Sequence, residues 1–178
     1  MASEHAHPAG DVACAMAHGL VPAPTGDRRL VAVFASPVAV QLVHLAAHVG
    51  FECVVLDPSD PPPLALDGVR TVRSAAEAPI DDRTDVVVTD HDRPELGDVL
   101  ASVLDTPARW VGVMGSPRHT APHVAALEQR GVAEGTIARV HRPIGLDIGS
   151  RSPAEIAVST VAGLLAHRAG RDGGAYRS

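Results

Sequence analysis

Aromatic side chains are scarce in this 178-residue chain, at 2% of the residues, and lysine is absent. The core therefore has to be built from Val, Leu, Ile and Ala, and the length suits one globular domain. All 15 basic residues are arginine, they form no dense run, and the net charge is -6, so we expect no nucleic-acid partner. No apolar stretch approaches the ~20 residues that span a bilayer, so no membrane segment is expected.

Cysteine is equally sparse, with Cys14 and Cys53 far apart and no C-x-x-C pair. Neither a zinc knuckle nor a redox dithiol is indicated. Cys53 lies inside an apolar run, where we expect a small buried hydrophobe. The first eleven residues contain no Lys or Arg and so lack the positive segment of a secretory signal. These absences predict a soluble, cytoplasmic protein.

The chain does contain a regular alternation of short apolar runs and helical patterns. Buried strands are predicted at residues 30–35, 51–56, 69–72, 85–89 and 110–114. Helices are predicted at residues 37–49, 96–104, 121–130, 134–140 and 153–167. This alternation predicts an α/β fold, a Rossmann-like doubly wound parallel sheet of three layers and a single domain over residues 29–170. We expect a disordered leader at residues 1–28 and a flexible tail at residues 171–178.

The first loop at the expected ligand crevice departs from a dinucleotide site. Ligands of such sheets bind at the carboxyl ends of the strands, where strands one and four flank the point at which the strand order reverses. A dinucleotide fingerprint needs glycine where this chain has Pro37, whose ring also removes an N–H donor. We therefore do not expect NAD(P) to bind, although Ser36 stays a candidate ligand contact. Asp57 ends strand two where a ribose could be held, but a role in the turn before Pro58 is favoured.

The second loop is polar and follows the fourth strand with Asp90, His91 and Asp92. Carboxylate and imidazole groups can orient one another for acid–base chemistry or share a metal, and they are as common in solvated turns. Both interpretations stay open. His44 and His119 each precede another histidine by four residues, but no third metal ligand accompanies either pair, so structural or surface roles are expected.

The third loop gives the strongest indication of a ligand. Gly115 permits a tight turn, Ser116 can cap the next helix, and Arg118 offers a planar fork to a phosphate. Backbone amides at a strand-to-helix junction point at any anion that docks there. A purely structural turn would explain the first two residues and leave Arg118 without a role.

Two runs near the end of the chain carry a resemblance to a known family. Residues 143–149 read PIGLDIG and residues 153–157 read PAEIA. Together with the Gly-Ser turn and Arg118, they resemble the C-terminal domain of the xanthine dehydrogenase accessory protein (XdhC/CoxI) family. Within the first run, Asp147 either bonds amides of its own loop or contacts a ligand.

The resemblance implies an accessory protein rather than an enzyme. Family members bind molybdenum cofactor (molybdopterin) as cargo, protect it while its terminal sulfur is installed, and pass it to the apo-enzyme of a molybdenum hydroxylase. The implied cofactor-binding residues are Ser36, Asp90, His91, Asp92, Gly115, Ser116, Arg118, Gly145, Asp147 and Gly149.

The same resemblance implies further partners and shows where this chain differs from the family's sequence pattern. Full-length members carry an N-terminal domain with no counterpart here, so a separate protein bearing that domain is a further expected partner, and a homodimer is left open. The family has a Gly-Ala-Gly-His turn where this chain has Ala35-Ser36-Pro37, and two arginines after Gly-Ser where Pro117 replaces the first.

Two other classes of function stay open. One is an NAD(P)-binding oxidoreductase of small-molecule metabolism, and the other is a ligand-free scaffold that only contacts a partner. The broken glycine turn argues against the oxidoreductase, as does the lack of lysine, which removes any Tyr-x-x-x-Lys pair. The fold alone does not choose among these classes.

Overall fold

The computed structural model describes residues 15–16, 18, 27–64, 66–116 and 121–174. In these ranges, six parallel strands form one sheet in the order β3-β2-β1-β4-β5-β6. The strands are β1 (Arg28–Val33), β2 (Phe51–Leu56), β3 (Arg70–Val72), β4 (Thr84–Val88), β5 (Trp110–Val113) and β6 (Val140–His141). The order reverses between β1 and β4, which confirms the predicted Rossmann-like fold and places its crevice at their carboxyl ends.

The helices begin at the predicted residues or, for the third, one residue later. They are α1 (Pro37–His48), α2 (Leu96–Leu104), α3 (Pro122–Glu128), α4 (Glu134–Ile137) and α5 (Pro153–Arg168). Ser36 starts α1 by accepting the Ala39 N–H at 3.1 Å. A capping box starts α5, because Ser152 accepts the Glu155 N–H while the Glu155 carboxylate accepts the Ser152 N–H. None of the helices in the described ranges has the length and apolar character needed to cross a bilayer.

Each face of the sheet carries its own aliphatic core. Side chains alternate along a strand, so Val31 and Val33 face one side while Leu30 and Ala32 face the other. The first side packs on α2, α3 and α4, and the second on α1 and α5. Helices on both faces explain why the second halves of the central strands β1 and β4 are continuous apolar runs. The carboxyl ends of β1, β4 and β5 are thereby held at one edge.

The prediction of a helix through Val140 was wrong. Helix α4 ends at Ile137, and Val140 begins β6, pairing in register with Val111 of β5 while His141 pairs with Gly112. The outer edge of β5 supplies hydrogen bonds that local helical periodicity does not reveal, and Val140 is buried in the core. Adding β6 moves the loop that follows it to the carboxyl edge of the sheet.

Smaller differences concern element ends. Helix α3 stops at Glu128, two residues before the predicted end, and β1 begins at Arg28, one residue before the predicted domain boundary. Most of the predicted leader and half of the predicted tail lie outside the described residues, so both stay predictions.

Candidate functional site

The turn between β1 and α1 is tightly fixed from both sides. Phe34 adopts a positive φ of 70°, which is unusual for a residue with a side chain. The Thr89 hydroxyl lies 2.8 Å from the Phe34 carbonyl oxygen, and the Ser36 hydroxyl donates to Thr89 Oγ1 at 2.8 Å. Ser36 therefore lies at the predicted crevice, but its hydroxyl is engaged in capping α1 and in bonding Thr89.

Asp57 is the second support of this turn. Its carboxylate is fully buried and accepts the Ala35 N–H at 2.8 Å and the Ser59 N–H at 2.9 Å, with Arg93 Nη1 at 3.5 Å. Burial raises the pKa of Asp57, but the hydrogen bonds from Ala35 and Ser59 and the charge of Arg93 outweigh it and hold the pKa below its ordinary value. The favoured role of Asp57 in the turn is confirmed, because its buried carboxylate accepts the backbone N–H groups of Ala35 and Ser59.

The second loop has the geometry of a solvated turn. Asp90 Oδ1 accepts the Asp92 N–H at 3.1 Å, which closes a short side-chain turn. His91 Nε2 lies 3.7 Å from Asp92 Oδ1, and the Asp92 side chain is 87% exposed. The three residues lie at the carboxyl end of β4 as predicted. Their contacts are with one another, so ligand contact at this loop stays a prediction.

The third loop meets a residue that the sequence analysis did not select. Arg142 follows β6 and donates from Nη2 to the Ser116 carbonyl oxygen at 3.0 Å. Its guanidinium covers Gly115, where a Cβ would come within 2.7 Å of Arg142 Nη2, and Gly115 has a φ of 151°. Glycine is thus required for this contact. Arg118 lies outside the described residues, so its predicted role stays a prediction, while Arg142 brings a guanidinium to the same turn.

His123, in the first turn of α3, adds a buried polar group near Arg142. Only 4% of His123 is exposed, and its Nδ1 has no hydrogen-bond partner in the described structure. Burial and then the charge of Arg142 lower the pKa of His123, so the ring is neutral near pH 7. A buried nitrogen without a partner is costly, and its neutral ring offers either a donor or an acceptor.

The glycine-rich loop after β6 packs on α5. A Cβ on Gly145 would come 2.5 Å from Ser159 Oγ, and a Cβ on Gly163 would come 2.8 Å from Gly145 Cα. Ser159 Oγ donates to the Leu146 carbonyl oxygen at 2.5 Å. Gly145 is therefore explained by close packing between the loop and the helix.

Two other candidates in that loop face solvent. Asp147 is exposed and makes no hydrogen bond within the described part of the chain, which leaves its predicted bonds to its own loop unformed. Gly149 has a φ of 70° and open space around it. Both lie between β6 and the N-terminus of α5, so contact with a ligand stays a prediction for them.

The polar groups at the carboxyl edge of β5 and β6 form a cluster around Arg142 in the described ranges. Arg142, the Gly115-Ser116 turn and His123 gather at the ends of β5 and β6. Among the described residues, no cluster of three His, Cys, Asp or Glu side chains could hold a metal ion. The histidines of α1 are exposed, with His48 Nδ1 at 2.8 Å from the His44 carbonyl oxygen. Arg142 was missed because its strand was missed, and His123 because its burial was not visible in the sequence.

A family profile, a curated protein and a solved structure are each similar to this chain. Residues 30–164 match the profile of a family described as the XdhC Rossmann domain. The chain is 32% identical to the uncharacterized protein YqeB of Escherichia coli (strain K12) over 165 residues, or 88% of this chain and 29% of YqeB. A crystal structure described as a xanthine dehydrogenase from Bacillus halodurans has a similar fold, with a TM-score of 0.66 and 24% identity over 83% of this chain and 46% of that one. The chain thus spans less than a third of the curated relative and less than half of the solved one.

Proposed function

The chain belongs to the XdhC Rossmann domain family, and from that premise we propose that it is an accessory protein in the maturation of molybdenum hydroxylases of the xanthine dehydrogenase type. In this proposal the chain holds molybdenum cofactor as cargo and hands it to an apo-enzyme. The observation that carries the proposal is the convergence of Arg142 on the Gly115-Ser116 turn. This convergence offers positive charge at the sheet edge where ligands of this fold bind.

The cargo carries a phosphate group, and the residues at this edge suit that group. A guanidinium presents several N–H donors in one plane and binds phosphate through more than one of them. The half-buried Arg142 donates one N–H to the Ser116 carbonyl oxygen, and this hydrogen bond fixes the direction of the guanidinium. His123 Nδ1 is a buried polar atom beside this charge. Arg118 stays a predicted second contact for the same phosphate.

The remaining candidates have subordinate roles in the proposal. His91 lies at the carboxyl end of β4 and is half-buried, so it is a candidate for a polar contact with the pterin. Ser36 closes the first turn and acts through Thr89. The apo-enzyme and a protein with the family's N-terminal domain are the proposed partners.

A nicotinamide-dependent reaction has less support in the geometry. The Ala35 N–H, which would have to face a pyrophosphate, is bound to the buried Asp57, and Pro37 has no N–H to offer. Opening this turn would break the bonds of Asp57 and of Thr89. We propose that NAD(P) does not bind, and calorimetric titration with NAD and NADP measures it directly.

The test of the proposed function is retention of molybdopterin. The chain is mixed with cofactor released from a molybdenum enzyme, passed through gel filtration and assayed for pterin fluorescence after oxidation. Arg142→Gln should weaken binding by about 1.5–3 kcal/mol, the contribution of a charge-assisted hydrogen bond, or roughly 10- to 150-fold in affinity. A melting curve accompanies each variant.

Arg73→Gln is the matched control. Arg73 follows β3 at the same edge of the sheet and forms an exposed ion pair with Asp60. Its replacement by Gln removes the same positive charge as Arg142→Gln. This variant should retain cofactor like the unchanged chain. Equal retention by Arg142→Gln and the unchanged chain, or equal loss in both variants, would contradict the assigned site. Micromolar binding of NAD or NADP instead of pterin would replace the accessory role with the oxidoreductase.

A further inference from the structure

A cavity of about 220 Å³ lies away from the carboxyl ends of β1 and β4, between the loop after β6 and the second half of α5. Its wall includes Trp110, His141, Ile144, Leu164, His167 and Arg171. His167 and Arg171 are exposed, so the cavity opens to solvent on their side. Of the residues that the resemblance implies for the cofactor, Gly145 also lies in this wall, where it packs on Ser159.

The volume limits what the cavity can hold. An engineered apolar cavity of about 150 Å³ binds benzene, whereas pockets for cofactors and drug-sized ligands measure ~300–1,000 Å³. A cavity of about 220 Å³ therefore suits one six-membered ring with a small substituent. A dinucleotide or a pterin with its phosphate is too large.

The walls favour a flat ring. Trp110 stacks on His141 with 5.1 Å between ring centroids and 15° between the planes, and His167 meets both rings at 5.9 and 5.7 Å. Ile144 and Leu164 add apolar surface. Aromatic pairs in offset or edge-to-face arrangement are favourable, so a fourth flat ring has suitable neighbours here.

The charges next to the cavity, where Arg109 contacts His167 of the wall, favour a negative substituent. The buried Asp85 binds both Arg109, at 2.8 Å from Nε, and Arg168, at 2.7 Å from Nε, so two guanidinium groups share one carboxylate. Arg171 adds a positive charge at the opening, and Asp172 adds a negative one. The five groups together leave one excess positive charge.

The hydrogen-bond donors of the wall also favour a ligand with negative charge. Arginine can only donate, so the 3.2 Å contact of Arg109 Nη1 with His167 Nδ1 makes that nitrogen an acceptor and leaves the ring proton on Nε2. The Trp110 indole N–H is buried and has no acceptor in the described structure. A ligand with acceptor oxygens complements such donors.

We propose that this cavity binds a small aromatic carboxylate, with the ring against Trp110 and the carboxylate toward His167 and Arg171. Arg142, Gly115 and Ser116 are not part of the cavity wall, so the site does not rest on the accessory role. The two proposals can therefore fail independently.

The test uses the intrinsic fluorescence of the full chain, because Trp110 is its single tryptophan and forms the wall of the cavity. The probe is benzoate, and benzamide is the neutral compound of the same shape. Benzoate should change the emission saturably with a dissociation constant below about 10 mM, and benzamide should bind at least about fivefold more weakly. Arg171→Gln should weaken benzoate binding by about fivefold, since it removes one charge at the opening.

Arg151→Gln is the matched control, because Arg151 is exposed in the loop before α5 and lies outside the cavity wall. It should bind benzoate like the unchanged chain. An emission that does not respond to benzoate, an equal response to benzamide, or the same loss in both arginine variants would each overturn the proposal.

Discussion

Replacing Asp57 with asparagine tests whether the first turn is held by this carboxylate. The side chain keeps its size but loses its charge. One of its two oxygens becomes an NH2 group, which then faces the N–H of Ala35 or of Ser59, so that two donors meet without an acceptor. Hydrogen bonds to a buried charged group contribute about 1.5–3 kcal/mol each, and removing one partner of a buried pair costs about 3–5 kcal/mol. We expect Asp57→Asn to lower the free energy of unfolding by about 3 kcal/mol.

The assay is unfolding in urea, with Asp60→Asn as the matched control. Asp60 carries the same charge three residues away, but its side chain is 68% exposed and pairs with the exposed Arg73. With a slope of about 2 kcal/mol/M, the Asp57 variant should unfold at a urea concentration lower by about 1.5 M. The free energy of unfolding of the Asp60 control should change by no more than about 0.5 kcal/mol. Equal urea midpoints for the two variants would show that the Asp57 carboxylate does not hold the turn.

The pH dependence gives this prediction a second readout. The pKa of folded Asp57 lies below its ordinary value of 3.8. Its stabilisation is therefore fully present above the pKa of the unfolded chain and is lost as the pH falls through the lower folded pKa. The difference in stability between the unchanged chain and Asp57→Asn should be constant near pH 7 and should shrink in acid below pH ~4. A difference that persists unchanged in acid would contradict a role of the charge.

Three further variants probe other parts of the chain. Gly145→Ala should lower the free energy of unfolding in urea by about 1–3 kcal/mol more than Gly149→Ala. Both glycines have a positive φ, but an added methyl group meets Ser159 only at Gly145. Equal losses of stability would contradict the packing of Gly145 on Ser159. Removing residues 1–26 should leave the melting temperature unchanged, because that composition buries little apolar area, and a clear drop would show that the leader packs on the domain. Arg118→Ala should weaken molybdopterin retention by about 1.5–3 kcal/mol with an unchanged melting curve, and unchanged retention would remove Arg118 from the site.

The fold was predictable because its signals are local. The Ser152 capping box, Pro37 at the start of α1 and the apolar β1 and β4 fix their elements through neighbouring residues alone. Strand β6 was not predictable in this way. Two residues are too short for a periodic pattern, and Val140 becomes a strand residue only by pairing with Val111.

The candidate site was predictable in position more than in composition. Gly115 and Ser116 lie at the end of β5 as expected, but the guanidinium beside them in the described structure belongs to Arg142, 26 residues beyond Ser116. Had β6 been recognised, an arginine directly after its last residue would have been a candidate. The burial of His123 depends on the packing of α3, which spacing between histidines does not reveal.

Transfer of molybdopterin to an enzyme tests the proposed role of this chain as a carrier of molybdenum cofactor. The chain is loaded with molybdopterin, freed from unbound cofactor by gel filtration, and mixed with a cofactor-free xanthine dehydrogenase, whose activity is followed in time. If the chain is a carrier, activity should appear faster with the loaded chain than with the same amount of free cofactor. Arg142→Gln should lose this advantage while Arg73→Gln keeps it. Activation at the rate of free cofactor, by a chain whose loading has been verified, would exclude a carrier role.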